Sequence, residues 1–419
     1  MYKSIVQSLK PLIIAVAASI GVTSAIGATS LSLIPTLGSA TANSARAITP
    51  DGKFVVGNSG VQGFLYQVGA ANAIKVLSIE NVLADSASGV GYRLSGGLQE
   101  LIISGKSSGG WITEWMTTDG GATFSTRRRD TTWTANNLPV YNSLASTGNN
   151  DQYFITTSSG TDGNPVYVGR GSGTWSLVDP KGATMAYDNK GISGGRAMMN
   201  SVGASGRAVG WRRGADLVRN NYMITYTGGG GAAAAYFNGL DGTIKGEAFS
   251  VSADGNTIFG QSPTLASTDR VGYKVVNPGA SQVINALPLF GDETGTSRQV
   301  PYGCTADGKF AVGMAYRGTE RAVFWDTSSA DPTEWTVRDL TTIAQSMNDL
   351  DGFVRLSRAY SIGVDETGAW IIAGEGAWTG DGGATFQTRA FVMTLVPEPS
   401  TVSLLILGIC GFLAARRRH

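Results

Sequence analysis

Histidine is almost missing: the single copy, His419, is the last of 419 residues. A Ser-His-Asp triad, a Cys-His pair and any imidazole metal site need histidine inside the fold. The stretch Gly191-Ile192-Ser193-Gly194-Gly195 has the G-x-S-x-G form of a nucleophile elbow. With no base to serve it, it reads as a glycine-rich turn. Cysteine is nearly as scarce. Cys304 stands alone, because Cys410 lies in a terminal apolar run, and a disulfide framework is thereby excluded. Charged residues make up only 15% of the chain and nearly cancel, at a net +1. That lacks the basic excess of a nucleic-acid binder, and no nucleic-acid partner is expected. The Asp-Gly turns offer one carboxylate each and Asp-x-Asp-x-Asp spacing is absent, so neither a metal nor a cofactor is expected.

Glycine is abundant, at 58 residues. It tolerates the positive φ that tight hairpins need, which favours many short strands over long helices. The two ends read as addresses. Lys3 and Lys10, an apolar stretch over 11–26 and the small-x-small triplet Ala40-Thr41-Ala42 have the layout of a secretory signal peptide. Residues 1–42 are expected to be removed, with an earlier site at 24–28. At the other end come Val396, Pro397, Glu398, Pro399 and Ser400. A mainly apolar run of about 15 residues follows (401–415), short against the roughly 20 of a membrane span. Arg416, Arg417 and Arg418 supply a basic stop. This order resembles the PEP-CTERM sorting signal of Gram-negative bacteria. The resemblance, over 396–419, implies an exosortase partner, a transient hold in the inner membrane and delivery to the cell surface or matrix, in company with exopolysaccharide and biofilm.

A repeat fills the middle, in the form apolar-x-x-Ser/Thr-x-Asp-Gly-x-apolar-apolar-x-Gly. It stands as ARAITPDGKFVVG from Ala45, AFSVSADGNTIFG from Ala248, YGCTADGKFAVG from Tyr302 and AYSIGVDETGAWIIAG from Ala359. Asp51-Gly52, Asp254-Gly255 and Asp307-Gly308 are hairpin signals between apolar strands. The closing glycines, Gly57, Gly260, Gly313 and Gly374, mark bends where a side chain would crowd a neighbour. A later strand recurs as GFLY from Gly63, AVFW from Ala322 and RAFV from Arg389. The pattern resembles the bacterial HAF-repeat family of extracellular proteins, with arginine where that family often has histidine. Turns at 52, 97, about 150, 206, 255, 308 and 368 are separated by steps of about 45 to 60 residues. Seven such units, covering 43–395, suit an all-β propeller of seven four-stranded blades. Residues 339–350 read as one short helix between strands of the sixth unit.

Two matches are sharper. Asp119, Gly121, Thr123 and Phe124, and Asp381, Gly383, Thr385 and Phe386, belong to a shared DGGATF and are similar to Asp boxes, the hairpins joining outer blade strands in sialidase-type propellers. Their separation of 262 residues, about five units of 52, places both at one point of the repeat. Asp boxes are structural, and no arginine triad assembles from Arg127, Arg128, Arg129, Arg170, Arg207, Arg212, Arg213, Arg317 and Arg321 by spacing alone. The expected role is a non-catalytic binding or structural component at the envelope. The alternative is a glycan-active hydrolase or lyase of sialidase-like type, for which Glu100, Glu114, Glu247 and Glu334 are the candidate acids.

Overall fold

The computed structural model describes residues 26–397 except 96–97, 109–110, 135–153, 158–165, 170–174, 179–196, 203–206, 214–217, 229–230, 265–266, 280, 291–297, 348–349 and 381–384. The elbow-like stretch 191–195, Asp381, Gly383, Glu398, Pro399, Ser400, the apolar run 401–415 and Arg416, Arg417 and Arg418 lie outside the described residues.

Strand β1 (Ile26–Leu33) comes first. β2 (Asn43–Ile48), β3 (Phe54–Ser59), β4 (Gln62–Gln67) and β5 (Ile74–Lys75) form an antiparallel sheet in chain order. So do β6 (Ala84–Ser95), β7 (Leu98–Ser107), β8 (Trp111–Thr117) and β9 (Ser125–Thr134). Three strands, β10 (Phe154–Thr157), β11 (Val166–Gly169) and β12 (Trp175–Val178), make the next. β13 (Ala197–Val202), β14 (Arg207–Arg213), β15 (Arg219–Gly228) and β16 (Gly231–Tyr236) follow, then β17 (Glu247–Val251), β18 (Thr257–Thr264), β19 (Ser267–Val276) and β20 (Val283–Ala286). The sixth sheet holds β21 (Arg298–Cys304), β22 (Phe310–Arg317), β23 (Thr319–Asp326) and β24 (Thr336–Asp339). After helix α1 (Leu340–Ser346), β25 (Phe353–Val364), β26 (Trp370–Trp378) and β27 (Gln387–Pro397) complete the described chain.

The last sheet is closed from the other end of the sequence, in the order β1-β27-β26-β25. First strands pack on the preceding sheet: β6 on β2–β4, β13 on β10 and β11, β17 on β13–β15, β21 on β17–β19 and β25 on β21–β23. β2 in turn packs on β25–β27, so the succession runs from the three-stranded sheet through the last sheet to the first two. The fold is all-β. Its core lies between sheets, in clusters such as Phe259, Ala311, Val323 and Trp325, and Ile34, Ala45, Val55, Phe64 and Val392.

Two expectations change. Residues 26–42, read above as part of a leader, belong to the fold: Leu31 and Ile34 are buried in separate clusters. The amide of Ile34 donates to the Ala390 carbonyl at 2.9 Å. Alternating apolar and small residues in IGATSLSL suit a strand, but directly after the apolar stretch that begins at residue 11 they pass for its continuation. The helix spans 340–346, capped by Asp339, and joins the sixth sheet to the last instead of lying between strands of one sheet.

The Asp-Gly turns join first and second strands. In each, a Ser or Thr two residues before the Asp receives the amide that closes the turn: Phe54 to the Thr49 hydroxyl at 3.0 Å, Thr257 to Ser252 at 2.9 Å, and Phe310 to Thr305 at 3.2 Å. The carboxylates of Asp51, Asp254 and Asp307 accept from the amides of Lys53, Asn256 and Lys309, and Gly52, Gly255 and Gly308 supply φ of 72°, 76° and 66°. The closing glycines mark something more specific than a bend. Gly57, Gly260 and Gly374 pair with the residue just before a bulge in the first strand, and Gly313 faces the bulge of β21. A methyl there would overlap the carbonyl oxygens of Ser44, Glu247, Arg358 and Val300. The repeat therefore encodes a β-bulge.

Candidate functional site

The bulges decide which side chains meet. The residue skipped by the pairing is Arg46 in β2, Phe249 in β17 and Tyr360 in β25, while β21 skips Pro301 and Tyr302. In each quoted repeat the charged or aromatic residue stands five places before the turn aspartate. A bulge re-aims its extra side chain out of the alternating pattern. Here the four touch in sheet order. Phe249 and Tyr302 meet edge to face with centroids 5.8 Å apart, Tyr302 and Tyr360 lie 5.0 Å apart, and the Arg46 guanidinium sits 4.5 Å over the Tyr360 ring. All four are half-buried. Arg46 has no carboxylate partner among the described residues.

Beside this arc lies an ion-pair cluster. Arg358 donates to Glu320 at 2.6 Å and to Glu375 at 3.3 Å, and the Tyr360 hydroxyl donates to Glu375 at 2.8 Å. The Glu320 bond is the main influence raising the Arg358 pKa, so this cation is permanent. Burial, more than the neighbouring charges, raises the Tyr360 phenol and keeps it protonated. A matching cluster with reversed signs joins two other sheets. Glu247, nearly fully buried, accepts from Arg219 at 2.8 Å and from Arg270, and Arg219 stacks 4.4 Å over Trp211.

The predicted acids do not converge. Glu100 and Glu114 lie on β7 and β8 of one sheet, Glu247 opens β17, and Glu334 sits in a short 3-10 turn, hydrogen-bonded to Ser329. Arg127, Arg128 and Arg129 lie along the outer strand β9, and Arg170 is outside the described residues. The tryptophans Trp115, Trp211, Trp325, Trp335 and Trp370 are buried core. What meets is Arg46, Tyr302, Tyr360, Arg358, Glu320 and Glu375, none of which sequence reading had singled out.

The first Asp box joins β8 to β9, the outer strands of its sheet. Asp119 accepts from the Thr123 amide at 2.9 Å and from the hydroxyls of Thr123 and Thr117, which hold its carboxyl below the usual range. Gly120 and Gly121 take positive φ, and Phe124 is buried beneath the hairpin. Residues 379–386, with Thr385 and an exposed Phe386, connect β26 to β27, the second and third strands from the inner side of the last sheet. The two boxes therefore occupy different places, and the near-integral spacing arises from units of unequal length. Phe124 is sheltered by its neighbours and Phe386 is not.

Next to the first box, Glu80 accepts from the Thr126 amide at 2.9 Å. The Ser78 hydroxyl, followed by that amide, lowers its carboxyl from 4.5 to about 2. A depressed carboxylate adds stability above its unfolded pKa and loses it as pH falls through the folded value. Acid unfolding of Glu80→Gln should therefore be less steep than wild type between pH 4.5 and about 2. An acid limb identical to wild type would assign Glu80 no part in it. Burial pushes the Cys304 thiol up to about 12. Thiolate is the reactive form, so native protein should label with iodoacetamide at least tenfold more slowly than denatured protein near pH 8.

No protein-family model matches the chain. No curated protein matches its sequence. Among solved structures, the chain is similar to the Swd1 β-propeller domain of Myceliophteria thermophila, with 12% identity, 87% of this chain and 99% of that one covered, and a TM-score of 0.47. It is also similar to a periplasmic gluconolactonase of Pseudomonas aeruginosa, with 13% identity, coverage of 85% and 96%, and a TM-score of 0.44.

Chemically, the arc offers apolar ring faces beside a guanidinium free of acid. Stacking and cation–π contacts are its natural interactions. The adjacent carboxylates are both engaged by Arg358. No group of three or more His, Cys, Asp or Glu is placed to hold a metal among the described residues.

Proposed function

We propose that the chain is an exported seven-bladed β-propeller, sorted by its PEP-CTERM tail through exosortase and the inner membrane to the cell surface or matrix, where its inner face binds polysaccharide. The observation that carries the binding half is the continuous arc Phe249–Tyr302–Tyr360–Arg46, built by one repeated bulge in four sheets. Sugars stack their apolar faces on aromatic rings, and Arg46 suits an acidic sugar because its charge is not already neutralised. The seven-bladed reading is supported by six sheets of four strands and one of three, packed in succession from the three-stranded sheet through the last to the first two. Sorting rests on the sequence of the tail.

The test is binding of the purified processed protein to an array of neutral and acidic polysaccharides. Retention by at least one acidic glycan is expected, with at least a tenfold loss in Arg46→Ala. Uniform failure to bind would sink the proposal.

A second reading is favoured by one contact. The Tyr360–Glu375 hydrogen bond beside Arg358 pairs a phenol with a carboxylate, as a covalent glycosidase of sialidase type would need. In that case Tyr360→Phe should abolish hydrolysis of an aryl sialoside while leaving the fold intact. No turnover by wild type on such substrates would dismiss it.

A further inference from the structure

The strand that closes the last sheet carries the stretch read as a sorting motif. β27 continues through Val396 to Pro397, and these two residues are paired with Gly27 and Ile26 of β1. The ends of the described chain thus lie side by side on adjacent strands. Ala25, the residue just before β1, is small, as the residue preceding a leader cut must be.

Behind β1 the chain is tied into the fold. Leu31 and Ile34 are buried, the Leu33 amide donates to Asp351 at 2.6 Å, and the Leu37 amide to Ser59 at 2.8 Å. Asn43 donates to the Ile34 carbonyl at 2.8 Å and accepts from the Ala390 amide at 2.8 Å. A cut after Ala42 would remove β1, leave β27 as an open edge and strip Phe391 and Val392 of cover. Natural sheets avoid such exposed apolar edges.

We propose that the β1–β27 pairing sets the limits of processing at both ends, so that the unit from Ile26 to Pro397 survives intact. The N-terminal cut, hydrolysis of one peptide bond by water to a carboxylate and a new α-amine, falls no later than the Ala25–Ile26 bond. At the other end, residues up to Pro397 are held in a ladder. A protease must take its substrate as an extended, unpaired strand, so the C-terminus it leaves lies at or beyond Pro397. The C-terminal half of the inference rests on the sorting reading, and the N-terminal half on the export reading alone.

Intact-mass analysis and N-terminal sequencing of the protein exported from its own cells test both halves. The expected product begins at Ile26 or earlier and ends at Pro397 or later. A product beginning after Ile26, Asn43 included, or ending before Pro397, overturns the proposal. A product that keeps the whole tail refutes the sorting reading, while its first residue still decides the N-terminal half. Pairing is checked separately by oxidising the Gly27→Cys/Val396→Cys double variant. It should lose two hydrogens in mass, and digestion should yield the two strand peptides joined. Absence of this link, in a preparation where the control pair Ala377→Cys/Thr388→Cys on β26 and β27 does form one, overturns the pairing on which both limits depend.

Discussion

Gly374→Ala should destabilise the protein by about 3 kcal/mol, beyond what alanine usually costs in a strand, because the new methyl has no place to go. It would overlap the Arg358 carbonyl and stand 2.7 Å from the Phe391 ring, whose own position is set by full burial. The backbone cannot yield without flattening the bulge that turns Tyr360 toward Arg46. Two effects should therefore appear together: a lower denaturation midpoint with unchanged denaturant slope, and weaker binding of any ligand held by the arc. The equivalent change at Gly57 should act the same way through the Ser44 carbonyl and the Phe64 ring. A loss under about 0.5 kcal/mol, the range of ordinary surface changes, would mean that the bulge relaxes freely, and the account of the repeat's last glycine would fail.

Asn43→Ala is expected to cost about 2–3 kcal/mol, since it leaves buried partners without hydrogen bonds. Its amide group joins three segments distant in sequence: it donates to Ile34 and Pro35, and accepts from the Ala390 amide and from Arg389. Removing it unties the N-terminal segment from both β2 and β27. Limited proteolysis should then cleave between Leu33 and Asn43 well before the rest of the domain. If cleavage begins elsewhere, the closure of the last sheet does not depend on this residue.

The turns were legible because their chemistry is local. Asp51, Asp254 and Asp307 each need only a hydroxyl two residues earlier and a glycine after, and that triplet is visible in the letters. The bulge residues were equally present, always five places before the aspartate, yet their meaning depends on pairing with the second strand, which no short stretch states. Arg358 and Glu320 belong to different sheets, and Glu375 comes from the strand after Arg358, so no spacing joins the three. The two DGGATF copies show the opposite hazard. Identical letters and a tempting interval suggested one location, while strand counting separates them. Strand β1 was hidden by its neighbour, because the apolar stretch before it and an apolar strand have the same composition and differ only in what they touch.

The antiparallel pairing of β1 with β27 also has a mechanical meaning. The two ends of the domain lie about 5 Å apart, one strand spacing, on the side of the Asp365–Gly368 turn, since Leu395 pairs with Trp370 just after it. Pulled apart, those ends would open the ladder one rung at a time, the geometry in which hydrogen bonds resist least. Pulled together in one direction, they would leave the ladder unloaded. A domain fastened at this point is weak against forces that separate its ends and indifferent to drag on its body. The cluster around Glu320 lies toward the opposite ends of the strands, away from the point where the two ends meet.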